Sequence, residues 1–518
     1  YQLMAFFGGF SRSKGGRHER VVWVFRFVIF AYLLWIPLPF ASVIPSAWIP
    51  LTVTPLVLGA AWLAWARRAR LPQELGRPAL WWLIGGLSVV AIALLQITPL
   101  PAPLVARLSP ESWVIWSSSA GIVNRIDAML VPGWFPLSVD PEATTRETVG
   151  WAARLALFFL ATQLFRRSVA RVALASVLIG SALIQVSYGL RHWSGGMMEI
   201  WGWTNTLIHG RMGGTFVNPN HLGHYLALIL PMGLYLFARG WYLTRREQSI
   251  QSRIETLFTR HPVHVIVGTF GVGCALFGIL LAKSRGTVLG LAVALVAGLA
   301  LYWEESAARH GKRTGNRRRR LVVIGVIVLS VVAAAILFLG PERVTGRMLP
   351  TAEQAVTLVG RVDGSTIALD LFSRFPLTGS GLGTFENLSL TVDAGGGYYY
   401  RHAHNDWLEL LATAGLPGFL AAVVPLLLGI AALTRLAWPA LLGERVDRRW
   451  SGDWRRFAGS GAISLLFVAL HALIDFNFYI PANSYTLAVI AGAIVAVPRS
   501  RRAAPARASG VEMTEMSS

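Results

Sequence analysis

The stretch RHAHNDWLELLATAGLPGFLAAVVPLLLGIAALT, Arg401–Thr434, joins a polar segment to a long apolar run. An apolar run of about 20 residues is long enough to cross the hydrocarbon core of a bilayer as a helix. Backbone groups in lipid must be bonded within their own helix, so such a run predicts an α-helix. The apolar run is preceded by four polar residues, His402, His404, Asn405 and Asp406. The stretch therefore predicts a membrane helix with reactive side chains at its mouth.

The whole chain has the composition of a membrane protein. Its 518 residues are 54% hydrophobic and 14% charged, with a mean hydropathy of +0.53, whereas soluble domains carry about 25% charged residues. The predicted fold class is an all-α polytopic membrane protein with about 12 transmembrane helices. The predicted spans are residues 21–40, 45–66, 79–97, 149–165, 172–190, 221–238, 263–282, 286–303, 321–340, 415–434, 458–474 and 482–498.

The net charge of +21 is spread over short connections between apolar runs, which argues against nucleic-acid binding. Lys and Arg favour cytoplasmic loops. Connections on alternate sides carry 33 and 12 of the 47 Lys and Arg residues, and the poorer side has the longer loops. Both termini are therefore predicted to be cytoplasmic. The predicted organisation is a cytoplasmic tail 1–20, a transmembrane domain 21–498 with external loops 98–148, 191–220 and 341–404, and a disordered cytoplasmic tail 499–518.

Two predicted external segments carry cations. The segment RMGGTFVNPNH begins at Arg211 and ends in an Asn-Pro-Asn turn that is typical of a helix start. The tight hairpin AKSRGTVLG carries Lys283 and Arg285 on the side that the charge rule disfavours. A guanidinium group beside a helix N-terminus, such as that of Arg211, is well suited to bind a phosphate. Lys283 and Arg285 lie at a membrane edge where positive charge is disfavoured, so they are expected to have an anionic partner. These segments indicate an anion site.

The remaining external candidates flank the opening stretch. In the long loop before the tenth span, residues 362–375 are predicted as an amphipathic helix. The following PLTGSGLGTF is predicted as a compact turn packed on the membrane domain, because it lacks the strand and the Lys-Ser/Thr of a nucleotide loop. The segment HALIDFNFYIPANS puts His471 and Asp475 one turn apart, and Arg361 and Arg401 add positive charge.

Positive charge dominates this external set, so the predicted ligand is an anion at the outer leaflet, namely a lipid phosphate or diphosphate. His221 and His224 lie one helical turn apart. Interfacial hydrogen bonding is the favoured interpretation of this pair, because no third metal ligand is evident. No metal and no cofactor are predicted.

Five segments resemble a known family. His404-Asn405, nine residues and then the GLPG that begins at Gly415 resemble the His-Asn/Ser/Gln…Gly-x-x-Gly signature of the O-antigen ligase and O-antigen polymerase superfamily. RMGGTFVNPNH, KSRG, PLTGSGLGTF and HALIDFNFYIPAN occur in the family's order, within roughly residues 150–495. The resemblance implies the C-type glycosyltransferase (GT-C) class. It also implies a donor glycan on undecaprenyl diphosphate at the periplasmic face of a bacterial inner membrane.

The resemblance also implies roles for individual residues. His404 would be the general base or the residue that orients the acceptor, a task that suits an imidazole. Arg211 and Arg285 would clamp the diphosphate in place of a metal, and direct displacement would invert the anomeric carbon. Further contacts to diphosphate or glycan are expected from Lys283, Arg361, Arg401, His402, Asn405, Asp406 and Asp475.

The sequence leaves open which molecule accepts the transferred glycan. Polymerisation of O-antigen or exopolysaccharide repeat units is favoured over ligation to lipid A-core, because the segments look most like those of polymerases. Transfer to a protein is less favoured, because no added periplasmic domain is evident. A transporter or flippase of lipid-linked sugars would predict charges at the bilayer midplane and paired repeats, and a scaffold would not require His404. The expected partners are the lipid-linked donor, a glycan or lipid A-core acceptor, membrane lipids and a chain-length regulator.

Overall fold

The computed structural model describes residues 14–124, 133–192, 197–309, 352–392, 400–438 and 452–498, which are mostly helical. In chain order the helices are α1 (Lys14–Trp35), α2 (Pro45–Arg68), α3 (Arg77–Ile97), α4 (Ala102–Leu108), α5 (Pro110–Asn124), α6 (Pro141–Leu164), α7 (Ser168–Arg191), α8 (Pro219–Leu243), α9 (Ile250–Arg260), α10 (Pro262–Ala282), α11 (Arg285–Arg309), α12 (Ala352–Arg374), α13 (Phe385–Ser389), α14 (Asp406–Ala437), α15 (Gly452–His471) and α16 (Pro481–Ile494). Two antiparallel two-stranded sheets pair β1 (Leu100–Pro101) with β2 (Trp134–Phe135) and β3 (Met197–Ile200) with β4 (Trp203–His209).

Within the described ranges, six helices are long and apolar enough to cross a membrane, namely α2, α3, α7, α8, α10 and α14. Each falls on a predicted span. The other predicted spans in this part of the chain fall on helices that do not meet the same criteria, α1, α6, α11, α15 and α16. The predicted span 321–340 and the predicted tail 499–518 lie outside the described residues. The chain is therefore a mostly helical protein with several apolar helices, as the multi-pass prediction requires.

Helix α8 lies at the centre of the bundle. Its apolar residues surround the axis, so it is buried along most of its length. It packs against α7, α10 and α15, while α6 packs against α3 and α16, and α14 runs along α3. The N-terminus of α8 is capped as predicted, because the Asn218 side chain accepts a hydrogen bond of 2.9 Å from the backbone N–H of Asn220.

A smaller helical layer packs against the first turns of α14. The predicted amphipathic helix at 362–375 is confirmed as the second half of α12. Its apolar face forms a separate core with α13 and the start of α14. Members of that core include Ile367, Leu371, Phe375, Phe385 and Ala412. This layer brings α12 beside the polar mouth of α14.

Helix α14 is broken at Gly415, which has φ 68° and ψ 175°, a conformation that is essentially restricted to glycine. The Gly-rich turn attaches at this break. The N–H of Gly381 donates to the carbonyl of Thr413 over 3.1 Å, and the N–H of Leu416 donates to the carbonyl of Pro376 over 2.8 Å. The predicted packing of this turn onto the membrane domain is confirmed.

Replacement of Gly415 by alanine is expected to destabilise the protein. The new Cβ would lie 2.6 Å from the backbone nitrogen of Gly379 and 2.7 Å from the carbonyl oxygen of Leu377, and the strained backbone adds about 1–3 kcal/mol. Thermal unfolding of the detergent-solubilised protein should therefore occur at a lower temperature. Gly273→Ala is the control, because a Cβ there meets nothing within 4 Å. Equal unfolding temperatures for the two variants would contradict this account.

Candidate functional site

The candidate site lies where several helices begin or end at one end of the bundle. The Arg211 side chain contacts the C-terminal end of α10. The Arg211 Nε donates to the carbonyl of Ala282 over 3.0 Å, and Nη2 donates to Asn220 Oδ1 over 2.5 Å. The neighbouring N–H of Met212 donates to the carbonyl of Leu281 over 3.1 Å. Arg211 is thereby fixed next to both the N-terminus of α8 and the KSRG hairpin.

The KSRG hairpin is as tight as predicted. Lys283 ends α10 in the left-handed conformation, with φ 49°, and Arg285 begins α11. The Thr287 hydroxyl donates to Ser284 Oγ over 2.8 Å. The same hydroxyl lies 3.4 Å from Nε2 of His471. The hairpin that carries two predicted cations is therefore in direct contact with the end of α15.

A buried polar network joins α15 to α8. Nδ1 of His471 lies 3.1 Å from Nδ1 of His224, and the Asn477 amide nitrogen lies 2.9 Å from the same His471 atom. Nδ1 of His221 lies 3.0 Å from Oδ1 of Asn477, which also accepts from Asn483 over 2.9 Å. In the described part of the chain, no group of three or more His, Cys, Asp or Glu side chains is arranged to hold a metal ion. The two α8 histidines make hydrogen-bond contacts within this network.

His404 sits at the edge of this network. Its backbone is left-handed, with φ 52°, which is uncommon for a residue other than glycine and clusters at functional sites. Its Nδ1 is buried and lies 3.9 Å from Oδ1 of Asp475, too long for a hydrogen bond. The side chain as a whole is 30% exposed. The Nε2 edge of the ring is therefore the edge that faces outward.

Asp475 is buried and remains a carboxylate. Burial raises the pKa of this carboxyl group, but interactions with neighbouring side chains outweigh burial and hold the pKa well below its ordinary 3.8. The groups responsible are His404, His221, His471 and Arg361. Its stabilising contribution is present above the ordinary carboxyl pKa and is lost only as the pH falls through the lowered one. A permanent negative charge therefore faces Nδ1 of His404.

His402 is held more firmly than His404. Its Nδ1 lies 3.0 Å from Oε1 of the buried Glu409, whose other oxygen accepts from the N–H of Ala403 over 2.8 Å. The His402 ring stacks on Phe476 and on Tyr479, with centroid distances of 4.6 and 4.7 Å. His402 and the backbone of Ala403 are thus both tied to Glu409, directly before His404.

The side chains of Asn405 and Asp406 make hydrogen bonds within the protein at the start of α14. The Asn405 side chain caps α14 by accepting from the N–H groups of Trp407 and Leu408, each over 3.1 Å. The buried Asp406 side chain accepts from the N–H of Phe478 at 3.3 Å. Asn405 therefore caps the first turn of α14, and Asp406 joins that turn to the segment after α15.

Two predicted cations lie on the α12 side of the site. Arg361 is close enough to Asp475 to lower its pKa. Arg401 instead pairs with Glu386 over 3.0 Å and is 73% exposed. The structure therefore brings Arg361 toward His404 and directs Arg401 toward α13.

Asp475→Asn is expected to lower turnover at least about tenfold, because the charge that favours the Nδ1–H tautomer of His404 is lost. Substrate affinity should change less than turnover. The measurement is kcat and KM for glycan transfer at neutral pH, with Asp370→Asn on the exposed side of α12 as the control. An unchanged kcat would show that Asp475 does not act through His404.

Sequence reasoning missed three residues that shape the site, namely Glu409, Phe476 and Tyr479. Glu409 could have been recognised from the sequence, because a carboxylate in the first turn of an apolar helix is energetically costly unless it has a polar partner. The aromatic pair on His402 could not have been recognised in this way, because stacking joins residues that are far apart in the chain.

Residues 270–423 match the O-antigen ligase family. The resemblance to the O-antigen ligase and polymerase superfamily is thereby confirmed. The O-antigen ligase match contains the KSRG hairpin, the Gly-rich turn and the stretch from His402 to Gly418, but Arg211, His471 and Asp475 lie outside it. No curated protein gives a match to the chain.

Proposed function

We propose that this protein is a glycosyltransferase that uses a glycan on undecaprenyl diphosphate and polymerises O-antigen or exopolysaccharide repeat units. The observation that carries the proposal is the pairing of His404, which lies within the family-matched segment, with the buried carboxylate of Asp475, which lies outside it. The protein would be a twelve-span GT-C enzyme of the bacterial inner membrane. Both termini would be cytoplasmic, the three long loops periplasmic and the C-terminal tail disordered.

The proposed mechanism is a single displacement. An acceptor sugar hydroxyl attacks the anomeric carbon of the donor, the bond from that carbon to the diphosphate oxygen breaks, and the configuration inverts. Nε2 of His404 takes the hydroxyl proton, while Asp475 favours the tautomer that leaves Nε2 able to accept. Arg211 and Arg285 stabilise the negative charge that develops on the leaving diphosphate, which supports turnover without a divalent metal.

Ligation to lipid A-core is the second candidate, and the description of the matched family favours it. A transporter is less favoured. The KSRG cations, Arg211 and Asp475 gather at one end of the bundle, whereas a transporter would place its charges at the midplane.

The deciding experiment uses lipid-linked glycan isolated from cells of the source strain that lack the protein. Purified protein in liposomes with excess chelator should lengthen the lipid-linked glycan. Transfer to added lipid A-core without lengthening would establish the ligase instead. Movement of the lipid-linked glycan across the bilayer without any new glycosidic bond would overturn the glycosyltransferase proposal.

A further inference from the structure

An apolar groove of about 270 Å³ opens beside the candidate site. It lies between α3 and α14 on one side and α6, α15 and α16 on the other. Its deep part is lined by apolar or small residues, including Trp82, Leu155, Leu426, Leu465 and Ala488. An engineered cavity of about 150 Å³ in another protein takes one benzene ring, so this groove suits a segment of a single hydrocarbon chain.

The mouth of the groove adjoins the histidines. Tyr479 and Asp406 line the groove. Tyr479 also stacks on His402, with centroids 4.7 Å apart, and Asp406 follows the Asn405 cap. Arg154 lines the mouth as well, where it pairs with Glu147 and donates to the carbonyl of Phe478 over 3.2 Å. A lipid chain in the groove would therefore carry its head group to the outer end of α14.

Helix α15 separates the groove from the KSRG hairpin. Three of its residues pack on glycines of α11, namely Ile463, Phe467 and His471 on Gly298, Gly290 and Gly286. Three others line the groove, namely Leu465, Val468 and Ala469. At 100° per residue, these two sets lie on opposite faces of α15. The groove and the KSRG cations are thus on opposite sides of one helix.

From this arrangement we infer that the groove holds the isoprenoid chain of the acceptor lipid. The inference rests on the proposed function and names its acceptor as a glycan on a single isoprenoid chain. A donor diphosphate held by Arg211 and Arg285 lies on the α11 side of α15. Inverting displacement requires the acceptor hydroxyl to approach from the side opposite the leaving group. The groove mouth lies on that opposite side, and His404 contacts Phe476, the ring on which His402 also stacks.

Photolabelling tests the occupant without requiring turnover. The probe is undecaprenyl diphosphate with a diazirine on an isoprene unit near the diphosphate, so that the reactive group falls within the groove. Peptides that contain Leu465–Ala469 and Ser484–Ala491 should be labelled in the wild type. Ala488→Phe should reduce this labelling about tenfold, because the added ring displaces several methylene groups from an apolar site, whereas Arg285→Ala should leave it unchanged. The matched control is Ala431→Phe, which changes an exposed alanine of α14 that does not line the groove.

Three outcomes would overturn the inference. Loss of groove labelling in Arg285→Ala would assign the groove to the donor chain. Equal labelling by a photoreactive phosphatidylglycerol would assign it to bulk lipid. Absence of groove labelling in the wild type would leave it without an isoprenoid occupant. Thermal unfolding of each variant identifies any that fail to fold, and Ala469→Phe then replaces Ala488→Phe.

Kinetics provide a second arm, with a pre-extended lipid-linked polymer as donor and a radiolabelled single-repeat lipid as acceptor. Ala488→Phe should raise KM for the acceptor about tenfold and leave KM for the donor unchanged, because only the acceptor chain loses its burial. Equal changes in both KM values would contradict the assignment. Absence of any transfer by the wild type would refute the proposed function, while the labelling result would still decide what the groove binds.

Discussion

His404→Ala is expected to lower kcat for glycan transfer by roughly 10²–10⁴-fold, the usual contribution of a general base. The imidazole combines a buried Nδ1 near the Asp475 carboxylate with an outward Nε2 edge. Its loss removes the proton acceptor but leaves the KSRG cations in place. Binding of the donor diphosphate should therefore persist, and the defect should appear in kcat rather than in the KM for the donor.

The matched control is His192→Ala, which changes a half-exposed histidine at the end of α7 that stacks on Tyr188. This variant should transfer glycan at the wild-type rate. Added imidazole should partly restore His404→Ala, because the space left by the side chain opens outward. Full activity of His404→Ala would refute the general-base role, and a matching loss in His192→Ala would point to a general disturbance of the fold.

Arg285→Ala and Arg211→Ala form the second large prediction. Hydrogen bonds to charged groups contribute about 1.5–3 kcal/mol each, so each variant should raise KM for the lipid-diphosphate donor by roughly 10–100-fold. In the double variant the two losses should be less than additive, because both guanidinium groups would bind one diphosphate. Arg285→Lys should recover part of the affinity, since a lysine keeps the charge but not the planar pair of donors.

The control for both arginines is Arg191→Ala, since Arg191 is exposed at the end of α7. Titration with undecaprenyl diphosphate measures affinity directly and separates it from chemistry. Wild-type affinity in both Arg285→Ala and Arg211→Ala would refute the clamp. Reduced affinity with an unchanged rate at saturating donor would assign the arginines to ground-state binding alone.

Short sequence patterns predicted part of the site. The Asn218 cap and the tight KSRG hairpin each follow from side-chain or backbone preferences within a few residues. Apolar length predicted the helices that are able to cross a membrane. The signature around His404 predicted the family, because its residues are close together along the chain.

Contacts between distant segments were beyond sequence reasoning. Nothing in the chain near His402 indicates that Phe476 and Tyr479 stack on it, or that Glu409 turns back to hold it. Arg401 was grouped with the site on charge and position, yet its side chain pairs with Glu386. Long side chains reach several ångströms in any direction, so packing decides which partner they meet.

The sequence by itself determined that this is a mostly helical chain with apolar helices and a polar cluster at one end, because hydrocarbon solvation and backbone hydrogen bonding act locally and repeat with length. Only the tertiary structure decided that the buried Asp475 carboxylate faces His404, that Arg211 reaches the end of α10, and that α15 divides the groove from the KSRG hairpin. These relations depend on which helix faces meet, and helix faces meet through the packing of the whole bundle.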